Sequence, residues 1–123
     1  MSESTGKRIW IIPDGYIAES STGSLVSHEA ICVLNTGEQA ANLKIIIYFE
    51  DRDPMEELYA QCSAKRTKHI RLDKIVDANK QKIPVGTPYA IKVLSDVPVV
   101  IQHSRMDTSQ AELALMTTLA YPV

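Results

Sequence analysis

The chain has 123 residues, of which 45% are hydrophobic and 23% charged. That size and balance describe one soluble globular domain, and they exclude disorder along the whole chain. The count of 13 basic against 15 acidic residues, net −2, argues against a dedicated nucleic-acid binder, whose affinity comes from neutralising phosphates. No apolar run is long enough to span a bilayer, and the polar start MSESTGKRIW offers no signal-peptide core. A cytoplasmic location is therefore expected. With no repeat, low-complexity tract or linker, residues 1–123 read as a single domain.

The hydrophobic period is mostly two, the signature of strands. Residues 8–12 form a short apolar run that ends at Pro13 and Gly15. Residues 26–35 are β-branched and apolar and stop at the turn signal Asn35-Thr36-Gly37. Residues 43–50 follow after a polar loop, so the two runs read as a hairpin. Asp51-Arg52-Asp53-Pro54 breaks the chain. Residues 57–63 and 66–72 form a weaker pair. Residues 74–88 carry Pro84, Gly86 and Pro88 and read as a loop. Residues 89–95 and 98–105 flank Asp96-Val97, which reads as a tight connection. The last stretch fits one helical turn near 109–112 followed by a strand in which Leu113, Leu115, Thr117, Leu119 and Tyr121 alternate. About eight short strands without a long helix predict an all-β, antiparallel sandwich.

The three histidines, His28, His69 and His103, all fall on predicted strands. Alternation puts His69 and Arg71 on one face of their strand, and His103 and Arg105 on one face of theirs. An arginine beside an imidazole is a flat surface of several donors, suited to a carboxylate, a phosphate or sugar hydroxyls. The same pairs also fit solvated faces or cross-strand partners of acidic residues. His28 and Glu29 point to opposite faces. His28 reads as a ligand or subunit contact or as a satisfied histidine, and Glu29 as half of a structural ion pair. Gln102 can orient a ligand beside His103 only if a bulge brings it round. Trp10, the sole tryptophan, offers a flat face for a ring or a bulky side chain for the core.

The basic run Lys65-Arg66-Thr67-Lys68-His69-Ile70-Arg71 splits by face. Arg66 and Lys68 lie on one side, and Thr67, His69 and Arg71 on the other. Lys65, Arg66 and Lys68 suit either an acidic partner or an edge strand protected against aggregation. Cys32 and Cys62 form no CxxC motif and read as free thiols. The histidines lack the spacing of a zinc site, and no Gly-rich phosphate loop or G-x-S-x-G is present. Neither cofactor nor metal is expected, and an enzyme is not indicated. A three-histidine metal site in a sugar-modifying enzyme is the sharper alternative.

The blocks GYI at 15–17, SHEAICVLNTG at 27–37, IIIYFED at 45–51, AKRTKHIR at 64–71 and PVVIQHSRMDTSQAE at 98–112 resemble the Anabaena sensory rhodopsin transducer family, in order, from Trp10 to Tyr121. The resemblance implies a small cytoplasmic β-sandwich of about eight strands. It implies a homotetramer that docks on a membrane photoreceptor, within a wider group of modules for sugars or related metabolites. Trp10 matches a tryptophan of the family's proposed ligand site. The expected function is a non-enzymatic signalling module for a small polar metabolite, sugar-like or anionic. Trp10 would stack on the ligand, with His28, His69, Arg71, Gln102, His103 and Arg105 around it. The alternative is a ligand-free adaptor that docks through Lys65, Arg66 and Lys68 on a receptor or transcription regulator.

Overall fold

The computed structural model describes residues 5–19, 28–107 and 114–123. These hold eight strands and no helix: β1 (Lys7–Gly15), β2 (His28–Asn35), β3 (Ala41–Phe49), β4 (Met55–Cys62), β5 (Arg66–Arg71), β6 (Tyr89–Asp107), β7 (Ala114–Leu119) and β8 (Tyr121–Pro122). All pairings are antiparallel. No helix among the described residues is long and apolar enough to cross a membrane. The expected helical turn near 109–112 lies outside the described residues. The alternation read after it is present as β7 and β8.

The 19-residue strand β6 organises the fold. Its first half pairs with β1 and β3, so Val93 faces both Trp10 and Ile45. Its second half pairs with β2 and β7, so His103 faces both Ile31 and Thr118. One sheet therefore runs β4-β3-β6-β1-β8, and the other runs β5-β2-β6-β7. This corrects the reading of residues 89–95 and 98–105 as strands on either side of a tight connection. The chain stays extended through Asp96-Val97 and changes sheets there. Lys7 faces Val99 while Ile9 faces Leu94, so β6 spends five residues where β1 spends two. Such a bulge bends a strand enough to carry it from one layer to the next. The bend is pinned. The Asp96 carboxylate accepts from the Asn42 backbone N–H and Nδ2, each at 2.8 Å, and Ser95 Oγ donates to Val97 O at 2.6 Å.

The two expected hairpins are also corrected. β2 pairs with β5 and β6, whereas β3 pairs with β4 and β6. The connections β2–β3 and β4–β5 are corners that cross between sheets. Asn35, fully buried, ties them together. Its Nδ2 donates to Gln39 O at 2.8 Å, Cys62 O at 3.2 Å and Ser63 O at 3.3 Å, and its Oδ1 accepts from Gly37 N at 3.0 Å. A short polar loop predicts a turn equally well for a hairpin and for a corner, and only the long-range bonds to residues 62 and 63 distinguish them. The loop after β5 is as expected, apart from one bridge between Val76 and Lys82.

The core lies between the sheets. Ile31, Val33, Ile45, Ile47, Leu58, Val93, Val99 and Ile101 are completely buried. Each is one member of an alternating pair, which is why strand period translates directly into layer. At the end of the chain Ala120 N donates to Ile101 O and Val123 N to Ile9 O, at 3.1 and 2.9 Å. These bonds carry the chain from the β6–β7 side to the edge of β1.

Candidate functional site

One row of β2 contains Glu29, Ile31, Val33 and Asn35, all fully buried. A carboxylate in that row must be compensated, because an unpaired buried charge is strongly destabilising. Oε1 of Glu29 accepts from the Tyr16 backbone N–H and from Arg105 Nε, the latter at 3.0 Å. Oε2 accepts from Tyr89 Oη at 2.8 Å and from His103 Nε2 at 2.7 Å. Four donors fill the four acceptor positions of the carboxylate. The Glu29 carbonyl is held as well, by Leu72 N at 2.8 Å.

Local structure explains how these groups meet. Arg105 faces Glu29 in the β2–β6 register, and His103 sits two residues before it on the same side of β6. Tyr89 comes from the other sheet's half of β6 and stands opposite Gly15. A Cβ at Gly15 would lie 2.4 Å from the Tyr89 ring, so glycine at this position lets the ring lie against β1 and reach Glu29. Burial, reinforced by the negative charge of Glu29 and the hydrogen bond to it, pushes the Tyr89 phenol well above its ordinary range. Tyr89 therefore remains a donor at every ordinary pH.

Arg105 is only partly satisfied by this network. Its Nε serves Glu29, but Nη2 is buried and has no hydrogen-bond partner among the described residues. A second acid, Asp14, has its Oδ2 3.9 Å from Nη2 and its side chain 82% exposed. That separation is too long for a hydrogen bond. A fixed guanidinium with an open donor position can take a carboxylate, phosphate or hydroxyl oxygen.

Beside it lies a groove of about 560 Å³ between the edges of β1, β7 and β8. Asp14 and His103 line one part of it, and Met116, Thr118, Leu119 and Tyr121 line another.

The other residues singled out in the sequence are distributed differently. His69 faces Cys32, and Cys32 faces Gln102, in one cross-strand row; Arg71, Ala30 and Ser104 form the next. His69, Arg71 and Gln102 thus share the outer face of the β5-β2-β6-β7 sheet, with His28 further along it. His103 and Arg105 point inward on the opposite side. The two His-x-Arg pairs are therefore separated by the thickness of a sheet, and the three histidines do not converge. Among the described residues, no group of three or more His, Cys, Asp or Glu side chains is placed to hold a metal ion.

Arg71 is engaged by Asp73 through two bonds of 2.7 Å. Burial opposes the Asp73 charge, but the Arg71 guanidinium outweighs it and holds the carboxyl below its usual range. Trp10 packs in the core, 3% exposed, and its N–H is shared between Lys7 O and Val99 O, each at 3.0 Å.

Lys65, Arg66 and Lys68 are exposed at the other end of the β2–β5 pair. Lys65 is ion-paired to Glu38 at 3.0 Å, and among the described residues β5 pairs only with β2, as an edge strand does.

Sequence reasoning did not find Tyr89, Gly15, Tyr16 or Asp14 as site residues. Glu29 left a signal, being the lone acid in phase with Ile31 and Val33.

The model of the Anabaena sensory rhodopsin transducer family matches residues 5–122. The chain belongs to the Anabaena sensory rhodopsin transducer family. The crystal structure of Thermotoga maritima 1070 superposes with a TM-score of 0.84 and 40% identity, covering 96% of each chain. The Anabaena sensory rhodopsin transducer itself superposes with a TM-score of 0.75 and 36% identity, over 85% of this chain and 99% of that one. No match was found among curated proteins. The transducer family thus accounts for nearly the whole chain, including the strands that carry Glu29, Tyr89, His103 and Arg105.

Proposed function

We propose that this chain is a non-enzymatic signalling module of the transducer type. It binds a small polar metabolite, sugar-like or anionic, and relays occupancy through protein–protein contacts within a cytoplasmic homo-oligomer. The observation that supports a ligand is the unused donor of Arg105, whose Nη2 is buried with no hydrogen-bond partner among the described residues, beside a carboxylate network that is otherwise complete. Buried polar groups in native proteins are nearly always satisfied, so an orphaned one calls for a missing partner. A ligand oxygen at that position supplies it. His103, on the same carboxylate, is the adjoining contact. His28, His69, Arg71 and Gln102, on the outer face, and the buried Trp10 stand apart from this point, so the ligand reading is centred on Arg105. The signalling partner, a membrane photoreceptor or another regulatory protein, would meet the exposed edge that carries Lys65, Arg66 and Lys68.

The test is a thermal-shift screen against sugars, sugar acids and phosphorylated metabolites. A ligand at a hundred times its dissociation constant adds about 2.7 kcal/mol of stability. A specific hit that Arg105→Lys weakens supports the reading. No shift with any class overturns it in favour of the ligand-free adaptor, for which charge reversal at Lys65 and Arg66 would abolish partner capture.

A further inference from the structure

We infer that the ligand of this site is an amphipathic monocarboxylate, with its acid group on Arg105 and its apolar body in the neighbouring groove. The inference rests on the ligand reading above and narrows its chemistry.

Arg105 does not itself line the groove, but three of its neighbours do. Asp14 lines the groove, and its Oδ2 is 3.9 Å from Arg105 Nη2. Met116 lines it and faces Arg105 in the β6–β7 register. His103 lines it and shares the Glu29 carboxylate with Arg105. The Arg105 guanidinium thus lies directly behind the groove wall that Asp14, His103 and Met116 form.

The character of the walls selects the ligand. Met116, Leu119 and Tyr121 are 51%, 61% and 68% exposed, although they are large and apolar. Ile11, Ile12, Pro13, Ala120 and Pro122 extend the same lining. Exposed apolar side chains gathered around one concavity mark a binding surface. A volume of about 560 Å³ suits a small molecule. The polar side-chain groups of the wall are few: Asp14, His103, Thr118 and the Tyr121 hydroxyl. A sugar would leave most of its hydroxyls facing hydrocarbon, and each unsatisfied hydroxyl opposes binding. An acid with an alkyl or aryl body loses only one polar group to the protein, and that group meets a cation.

The experiment titrates the full chain with 3-phenylpropionate, hexanoate, their primary amides, gluconate and glucose 6-phosphate, read by calorimetry. The two acids are expected to bind at least tenfold more tightly than their amides. They are also expected to weaken at least tenfold in Thr118→Trp, which fills the groove from an exposed edge strand, and in Arg105→Lys, with folding of both variants verified by circular dichroism. Equal binding of acid and amide, or acid binding unaffected by Thr118→Trp, overturns the inference. Binding of gluconate or glucose 6-phosphate without binding of the apolar acids overturns it while leaving the metabolite reading intact. No binding by any of the compounds overturns both.

Discussion

Glu29 Oε2 and His103 Nε2 lie 2.7 Å apart, with side chains 0% and 2% exposed. Neither group is stable in that position alone. Arg105, Tyr89 and the Tyr16 backbone complete the shell that makes the carboxylate tolerable. Glu29→Leu removes the acid and leaves the Arg105 cation with only the exposed Asp14, 3.9 Å away. The cost of breaking a buried pair in this way is about 3 kcal/mol. Urea unfolding should show a lower midpoint with an unchanged slope. A loss no larger than the ~1 kcal/mol of an exposed ion pair would remove Glu29 from the centre of the network.

Tyr89 and Gly15 form a second coupled pair. Tyr89→Phe keeps the ring and deletes one hydrogen bond to a charged acceptor, at a cost of about 2 kcal/mol. Gly15→Ala adds the methyl group that would sit 2.4 Å from that ring, and overpacking of this kind costs about 1–3 kcal/mol. Because both act through the same contact, the double variant should lose less than the sum of the single variants. Full additivity in a denaturation cycle would show that the glycine serves some other purpose.

Two pH limits follow from the shifted groups. The folded protein holds the Tyr89 phenol above its ordinary value of 10.0, through burial and then through Glu29. The unfolded chain therefore releases this proton first. Its contribution is complete below about pH 10 and is lost as the pH rises further. Tyr89→Phe should flatten that alkaline decline. At the acid end, burial works against the Asp73 charge but Arg71 prevails and holds the carboxyl below 3.8. That contribution is present above about pH 4 and disappears as the pH falls through the folded value. Arg71→Leu should shrink the loss between pH 5 and pH 2, as measured by denaturation across the range.

Burial also separates neighbours on β4. Leu58 is fully buried and Tyr59 is 61% exposed. Leu58→Ala should cost about 3 kcal/mol through lost transfer energy and the cavity left behind. Tyr59→Ala should stay within about 0.5 kcal/mol, as ordinary surface changes do. Thermal midpoints that failed to rank the two in this order would contradict the strand's orientation.

The two thiols should differ in the same manner. Cys32 is half-buried on the outer face of its sheet, whereas Cys62 is fully buried. An aromatic disulfide reagent should titrate one thiol rapidly in the native protein and the second only in denaturant. Two equal fast phases would place Cys62 at the surface.

The strands themselves were legible because apolar residues two apart recur densely along this chain. Ile31 with Val33, Ile45 with Ile47 and Val99 with Ile101 each announce a buried face, and all six are buried. The rule that residues two apart share a face also placed His103 with Arg105 and His28 opposite Glu29. Partner choice was not legible. The loops after Asn35 and Cys62 carry ordinary turn residues, and such residues do not specify whether the next strand pairs with the last or crosses to the other sheet. Asp96-Val97 looked like a turn for the same reason, although Asn42, distant in sequence, holds it extended.

The sequence by itself determined the periodicity, the all-β class and the family, because these are encoded in local side-chain order and in long shared blocks. Tertiary structure decided which faces turn inward. Strand alternation is symmetric, and only pairing breaks that symmetry. It sent His103 and Arg105 in toward Glu29, left His69, Arg71 and Gln102 on the outer face, and drew Tyr89 from the far half of the same strand. The open position on Arg105 and the groove beside it arise from contacts between residues that no window of the sequence holds together.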